Sequence, residues 1–387
     1  MTQGELEQIQ LPIRSIWSDT ERRIMEDLVR RIKINGFATA SASWETDRLR
    51  QLGKSEADIK AFIKDALIAT DEEIERIFSD KVYEQYMGHQ RAYKMSGKER
   101  ATFEKNRELQ SAIEAAKSQT RGTFKNLTGS MGFAQRANNG EISYVPLKEY
   151  YQRVLDSAML DIGSGTFTYQ QVLTRIINEM TNSGLRWIDY SLGVHNRVDV
   201  AARRAVMTGF RQIQGKINEQ VARDLQTDTY EVSYHVGARP SHQIWQGRAW
   251  TMKQLREVCG LGSVDGLHGA NCYHDYNAFI VGISVRTYTD AQLSDMIQKE
   301  NMPKQYKGRE YTTYEALQQQ RHMETNMRKT RQDIDLLKKG SADEESVMLK
   351  QARYKIQMNR YIDFSKKMGL PQQKNRIYQD GLKGIQG

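Results

Sequence analysis

The chain has 387 residues, 39% hydrophobic and 27% charged, with five prolines, 57 Lys/Arg against 48 Asp/Glu and a net charge of +9. That composition describes a helix-rich folded protein with room for two or three cores, and excludes disordered, fibrous and disulfide-stapled classes. Two cysteines are expected as free thiols, no run of about 18 apolar residues offers a membrane span, and the opening MTQGELEQIQ, acidic and without an apolar core, reads against a secretory signal.

A first helix is expected from about Ser15, where Ser18 to Glu21 has capping-box spacing and Ile24, Leu28 and Ile32 recur on one face before Asn35-Gly36. Two further boxes, Ser55 to Asp58 and Thr70 to Glu73, are read as starts of short amphipathic helices joined by turns at Gly53 and Thr70. Met87 to Leu127 is charged and free of proline, an extended helix or helical pair. Thr128 to Tyr144, rich in Gly and Asn, reads as a connection, with Pro146 in the first turn of the next helix. Three or four helices follow up to Leu225, and Gly163-Ser164-Gly165 is a hinge between two of them.

Tyr230 to Val236 alternates strictly, the pattern of a half-buried strand, and Phe279 to Val285 is a second apolar, β-branched run. A helix at about Thr251 to Val258 lies between them. Beyond this small α+β unit, Ala291 to Glu300, Tyr311 to Lys339 and Glu344 to Lys367 read as helices; the last two either pair as an antiparallel hairpin or form an arm ordered by a partner. Residues 301–387 hold 18 Lys/Arg against 10 Asp/Glu, so the basicity belongs to the tail. It is either solvated helical surface or a footprint for double-stranded DNA, with Arg328, Lys329, Arg331, Lys338, Lys339, Arg353, Lys355, Arg360, Lys366 and Lys367 as candidate contacts.

The fold class expected is mainly α: helical N-terminal and middle regions, a small α+β module at about 230–285, and a helical tail. The divisions are a bundle at 1–90, a long helix or linker at 91–145, a helical domain at 146–228, the module at 229–287 and the basic tail at 288–387.

Four of the seven histidines and both cysteines fall between His235 and Ser284. Cys272 and His274, two apart on an extended segment, point to one side, and His242, Cys259 and His268 complete a candidate zinc shell, although the spacing is not that of a standard finger. The bland alternative is a buried thiol with histidines bonded to turn backbones. A Cys272 nucleophile paired with His242 would need a third orienting group that no motif marks, so no enzyme and no cofactor besides zinc is expected; a metal-dependent hydrolase or transferase using His242, Cys272 and His274 is the rival. An architectural reading accounts for more residues: Gly237, Gly247, Gly266, Gly269 and Gly282 for turns, Arg239-Pro240-Ser241-His242 as a turn, Trp245 and Trp250 as core, and Asn271, Cys272 and His274 inside the module.

The strings GARPSHQIWQG (Gly237 to Gly247) and DGLHGANCYHDYNAFIVGIS (Asp265 to Ser284) resemble the C-terminal module of tailed-phage minor capsid proteins, nearest to phage minor capsid protein 2 and related to the Mu protein F-like head morphogenesis proteins. The likeness continues upstream through DYSLG (Asp189 to Gly193) and ARRAVMTGFRQ (Ala202 to Gln212). Cys commonly stands in that family at the position of His268, Arg at that of Tyr273, and Pro near Ala278; the loss of Arg weakens the idea of a fixed anion site there. The resemblance implies a virion structural protein, made in the host cytoplasm and assembled with the portal protein and the major capsid protein. It implies a place in the capsid interior near the portal, acting in procapsid assembly and in genome packaging or ejection.

Overall fold

The structure, a computed structural model, describes residues 3–36, 44–136, 141–189 and 194–382. Residues 190–193 of the DYSLG motif and 137–140 of the expected connection lie outside the described residues. The chain is mainly α and divides into two units whose boundaries fall within helices.

The first five helices are α1 (Gln3–Gly36), α2 (Trp44–Arg76), α3 (Val82–Gly88), α4 (Gln90–Ser96) and α5 (Arg107–Gly129), with a π-helical turn at Ile77–Lys81 ahead of α3. Strands β1 (Met131–Arg136) and β2 (Ile142–Pro146) precede α6 (Leu147–Gly163) and α7 (Tyr169–Ser183), and β3 (Arg186–Asp189) and β4 (Val194–Arg197) precede α8 (Val198–Asp224). The expected module contains β5 (Thr229–Val232), α9 (Pro240–Gln243), β6 (Ala249–Thr251), α10 (Met252–Glu257) and β7 (Tyr276–Ala278). After it come α11 (Asp290–Asn301), β8 (Lys304–Tyr306), β9 (Arg309–Tyr311), α12 (Thr313–Lys339), α13 (Glu344–Met368) and α14 (Lys374–Ile377).

One unit comprises residues 13–70, 124–202 and 320–387. Its four-stranded antiparallel sheet, in the order β2-β1-β3-β4, includes a β1–β2 hairpin where the sequence suggested only a connection. Gly132 lets Val145 of the neighbouring strand approach where any side chain would collide with its carbonyl. The Ile24–Leu28–Ile32 stripe is buried as expected, and Trp17 stacks on Phe124 at 5.7 Å.

The three expected helix starts are corrected. α1 runs through Ser18 to Glu21, and α2 runs unbroken through Gly53, Ser55 and Thr70. These polar side chains are committed across the unit instead. Glu21 accepts from Leu185 N at 2.7 Å and from Arg197 Nη2 at 2.9 Å, Thr70 Oγ1 accepts from Trp17 Nε1 at 3.1 Å, and Ser55 Oγ donates to Asp27 Oδ2 at 3.3 Å. A buried partner for the side chain outcompetes its own first-turn amide. Reciprocal capping boxes form at Thr168/Gln171, Thr251/Gln254 and Thr289/Gln292.

The tail is a helical hairpin within this unit, not an arm awaiting a partner. Tyr361 Oη donates to Glu324 Oε1 at 3.0 Å, Gln320 Nε2 donates to Ser365 Oγ at 3.0 Å, and Lys350 Nζ meets Asp333 Oδ2 at 2.6 Å, an antiparallel register of α12 on α13. α12 also ties back to earlier helices through Thr181 with Asp333 Oδ1 (2.5 Å) and Gln332 with Glu21 Oε2 (3.2 Å) in the same unit.

The other unit comprises residues 1–12, 71–123 and 203–319, with a three-stranded sheet in the order β6-β5-β7 and the β8–β9 hairpin. Tyr230 at the centre of β5 faces Trp250 on one side and Ala278 on the other. The second strand is Tyr276–Ala278, earlier than the expected Phe279 to Val285. Pairing ends where Phe279 N donates to Thr229 O (2.7 Å), and the chain then turns, with Ser284 N donating to Ile280 O at 2.7 Å. Val281 and Val285 are consequently exposed, at 73% and 89%: an apolar run without a sheet edge or core to cover it does not become a strand.

Candidate functional site

The module's core is Ala222 of α8 with Tyr230, Val232, Trp245, Leu255, Cys259, Leu267, Cys272 and Tyr276. Its loops are shaped by glycine at two kinds of position. Gly237 and Gly247 adopt φ of 70° and 69°, and a Cβ on them would strike Leu317 and Leu293 respectively. Gly266 has no positive φ but packs directly on the Gly260 carbonyl. Gly282 has φ of 86° with open space around it, and Asn271 adopts φ of 59° while its Oδ1 accepts from Arg203 Nη2.

Pro240 opens α9 at its first turn, where its missing N–H costs nothing, and that turn presents His242 inward. Arg239 Nη2 donates to Ala270 O at 2.7 Å, fastening α9 to the segment that leads to Cys272. The extended stretch 272–274 places Cys272 and His274 on one side, as their spacing predicts.

Of the five candidate ligands, three come together. Donor atoms of His242, Cys272 and His274 lie within 4.8 Å of one another, and all three residues are buried. His242 Nε2 donates to Asp265 O at 2.8 Å, His274 Nε2 donates to Gln246 Oε1 at 2.9 Å, and Cys272 Sγ lies 3.5 Å from His274 Nδ1. The imidazoles also pack on aromatic neighbours, His242 on Trp245 at 4.4 Å and His274 on Trp245 at 4.7 Å between ring centres.

The other two stand apart. Cys259 lies in the apolar core, where burial pushes its thiol up to about 12. His268, at φ of 62°, turns its Nε2 toward Asp275 Oδ1 at 3.4 Å and its ring onto Tyr276. Burial lowers its pKa and Asp275 only partly restores it.

Several residues that knit the site carried no signal in the sequence reading. Gln246, fully buried, accepts at Oε1 from both His274 Nε2 and the His235 amide (3.0 Å), which fixes the amide's orientation. Asp275 accepts from Gln214 Nε2 at 2.7 Å and from its neighbour Tyr276 N at 2.9 Å. Burial opposes its charge, yet the imidazole of His268 at 3.4 Å and the Arg211 guanidinium outweigh that and hold its carboxyl at about 2. Arg211 is itself buried, donates to Gln214 Oε1 at 2.6 Å and Cys272 O at 3.4 Å, and forms no ion pair among the described residues. The signal that could have found them is position: Gln246 lies in the GARPSHQIWQG string and Asp275 follows His274.

Burial lowers the pKa of His242 and drives that of His274 well below the ordinary imidazole value, so both rings are neutral near pH 7. Burial also raises the Cys272 thiol, with Arg211 opposing. A protonated thiol beside neutral imidazoles is not an activated nucleophile. Next to the cluster, a cleft of about 720 Å³ is lined by Arg203, Arg204, Arg211, Lys216 and Arg256 with Glu219, and reaches Cys272 and His268.

The candidate DNA contacts divide sharply. Arg328 donates to Arg376 O (2.8 Å), Arg331 is paired with Asp380, Lys329 donates to Asn182, and Lys339 bonds Glu26 and Asp335. These four serve the fold. Lys338, Arg353, Lys355, Arg360, Lys366 and Lys367 are exposed and enter no ion pair among the described residues.

No helix of the described residues is long and apolar enough to cross a membrane. No curated protein and no solved structure matches the chain. The family model for phage minor capsid protein 2 matches residues 1–363, which span the helical regions, the module and most of the tail hairpin, and the chain belongs to that family of virion components.

Proposed function

We propose that this minor capsid protein is a non-catalytic structural component of the phage head, located in the capsid interior near the portal and acting in procapsid assembly and in genome packaging or ejection. The observation that carries this reading is the family match over residues 1–363. The module supports it, because its polar groups are spent on holding its own loops: Arg239 on Ala270, Gln246 on two segments, Asp275 on α8. Exposed aliphatics at Val281, Ile283 and Val285 provide a face for the portal protein or the major capsid protein. The six exposed cations at the end of α12 and along α13 provide the contact to packaged double-stranded DNA.

Reconstruction of heads assembled with this chain tests the proposal. Density for it inside the shell at the portal vertex, together with co-purification with a portal ring, is the expected result. Mature particles without the chain, or turnover of a defined compound by the isolated protein, would overturn it. The second outcome would favour a hydrolase or transferase acting through His242, Cys272 and His274.

A further inference from the structure

We propose that His242, Cys272 and His274 bind one zinc ion. The three donor atoms already lie within 4.8 Å of one another in a buried pocket of the module. Zinc holds nitrogen and sulfur ligands at about 2.0–2.3 Å in a tetrahedron, which sets them roughly 3.5 Å apart, so closure requires side-chain movements of about 1 Å.

The tautomers are those a metal needs. Both histidines donate Nε2–H, to Asp265 O and Gln246 Oε1, so the nitrogen left with a lone pair is Nδ1 on each ring. An imidazole whose far nitrogen bonds a carbonyl is the usual outer partner of a metal-bound histidine, fixing tautomer and ring orientation. Gln246 cannot turn its amide without abandoning the His235 N–H that the same oxygen accepts. Arg211 Nη2 donates to the Cys272 carbonyl at 3.4 Å, which places a cation beside the residue that would supply the thiolate.

Binding converts Cys272 from thiol to thiolate: the S–H bond breaks, the Sγ–zinc bond forms and one proton leaves to solvent, with no change of oxidation state. One thiolate with two imidazoles suits zinc, whereas calcium and magnesium prefer all-oxygen sites. The ion would clamp α9 to the segment 272–274, adding to the Arg239 bond between the same two pieces of chain. The proposal stands apart from the capsid role, which requires no metal.

The test is a titration of the full-length protein after chelator treatment, with zinc against a chromophoric competitor and then with cobalt(II). One zinc per chain, one proton released, and a near-ultraviolet thiolate-to-cobalt band with intense visible bands of tetrahedral cobalt are expected. Cys272→Ser should remove the thiolate band. His274→Ala should weaken zinc binding by more than the roughly 10–100-fold typical of losing an outer partner, and Cys259→Ser should change neither readout. Substoichiometric zinc, absence of the thiolate band in the unaltered protein, or its survival in Cys272→Ser overturns the proposal. The cobalt spectrum of the unaltered protein decides the question even if a variant fails to fold.

Discussion

Arg331 and Asp380 form a two-bonded buried ion pair, Nε to Oδ2 at 2.9 Å and Nη2 to Oδ1 at 3.2 Å, that fastens the turn after α14 to the middle of α12. A residue whose charge first suggested a polyanion contact is therefore an internal tie. Removing only the carboxylate leaves a desolvated guanidinium, so Asp380→Ala should cost about 3–5 kcal/mol, whereas the double change Arg331→Met, Asp380→Leu should recover most of that loss. Urea unfolding of the three proteins decides it; a loss below about 1 kcal/mol in Asp380→Ala would mean the pair behaves as a surface bridge.

Acid should act on Asp199. Burial alone would raise its carboxyl, but the guanidiniums of Arg14, Arg328 and Arg197, with the Arg14 hydrogen bond, outweigh burial and hold it well below its ordinary 3.8. A depressed folded-state pKa contributes stability that is complete above the unfolded value of 3.8 and is lost as pH falls toward the folded one. Asp199→Asn is expected to be less stable at neutral pH and to show a flatter decline below about pH 4. Equal declines in the two proteins would assign the acid sensitivity elsewhere.

Gly247 and Gly282 separate backbone strain from packing. Both have left-handed φ, 69° and 86°, but a Cβ on Gly247 would strike Leu293 and one on Gly282 would meet nothing. Gly282→Ala is expected to cost about 1–2 kcal/mol from φ alone, and Gly247→Ala about 1–3 kcal/mol more from overpacking. Thermal melts of the two variants that coincide would contradict the packing difference.

DNA binding, if the outer cations carry it, has a specific salt signature. Replacing Lys355, Arg360, Lys366 and Lys367 with Gln should lower the slope of log affinity against log salt by about 0.9 for each phosphate contact removed. Substituting the half-buried Arg328, which donates to Arg376 O, should instead destabilise the fold. An unchanged slope in the fourfold variant would move the contact off α13.

Gln246→Met keeps the volume of a fully buried side chain while removing the acceptor of His274 Nε2–H. Zinc affinity is expected to fall about 10–100-fold. Full affinity in this variant would mean that His274 needs no such orientation.

The helix stripes were legible because a 3.6-residue period needs no knowledge of what it packs on: Ile24, Leu28 and Ile32 and the tail helices held, whereas the alternation over Tyr230 to Val236 foretold β5 but not its end at Val232, after which Ser233 to Val236 leave the sheet. Helix starts were not, because Ser/Thr-x-x-acid occurs inside a helix whenever the side chains have buried partners, as Thr70 has in Trp17. The boxes at Thr168, Thr251 and Thr289 use glutamine, which works equally well. The short strands of the four-stranded sheet, such as MGFAQR, carry little β-branched content and are stabilised by their neighbours. The clustering of His and Cys marked the segment where His242, Cys272 and His274 come together, and composition could not tell that His268 would turn to Asp275 or that Cys259 would sit in the apolar core.

The division of the chain within helices bears on how it is made. One unit draws on residues 1–12 and on segments reaching 319; the other begins at residue 13 and draws on the tail through 387. At roughly 5–20 residues per second, the opening helix emerges tens of seconds before its distant neighbours exist. Neither unit can finish folding before its last segment is made, the one ending at residue 319 and the other lying in the tail, and contacts so far apart in sequence close slowly. A nascent chain would therefore spend its synthesis with apolar stripes uncovered, which makes chaperone demand, and not only final stability, a determinant of yield.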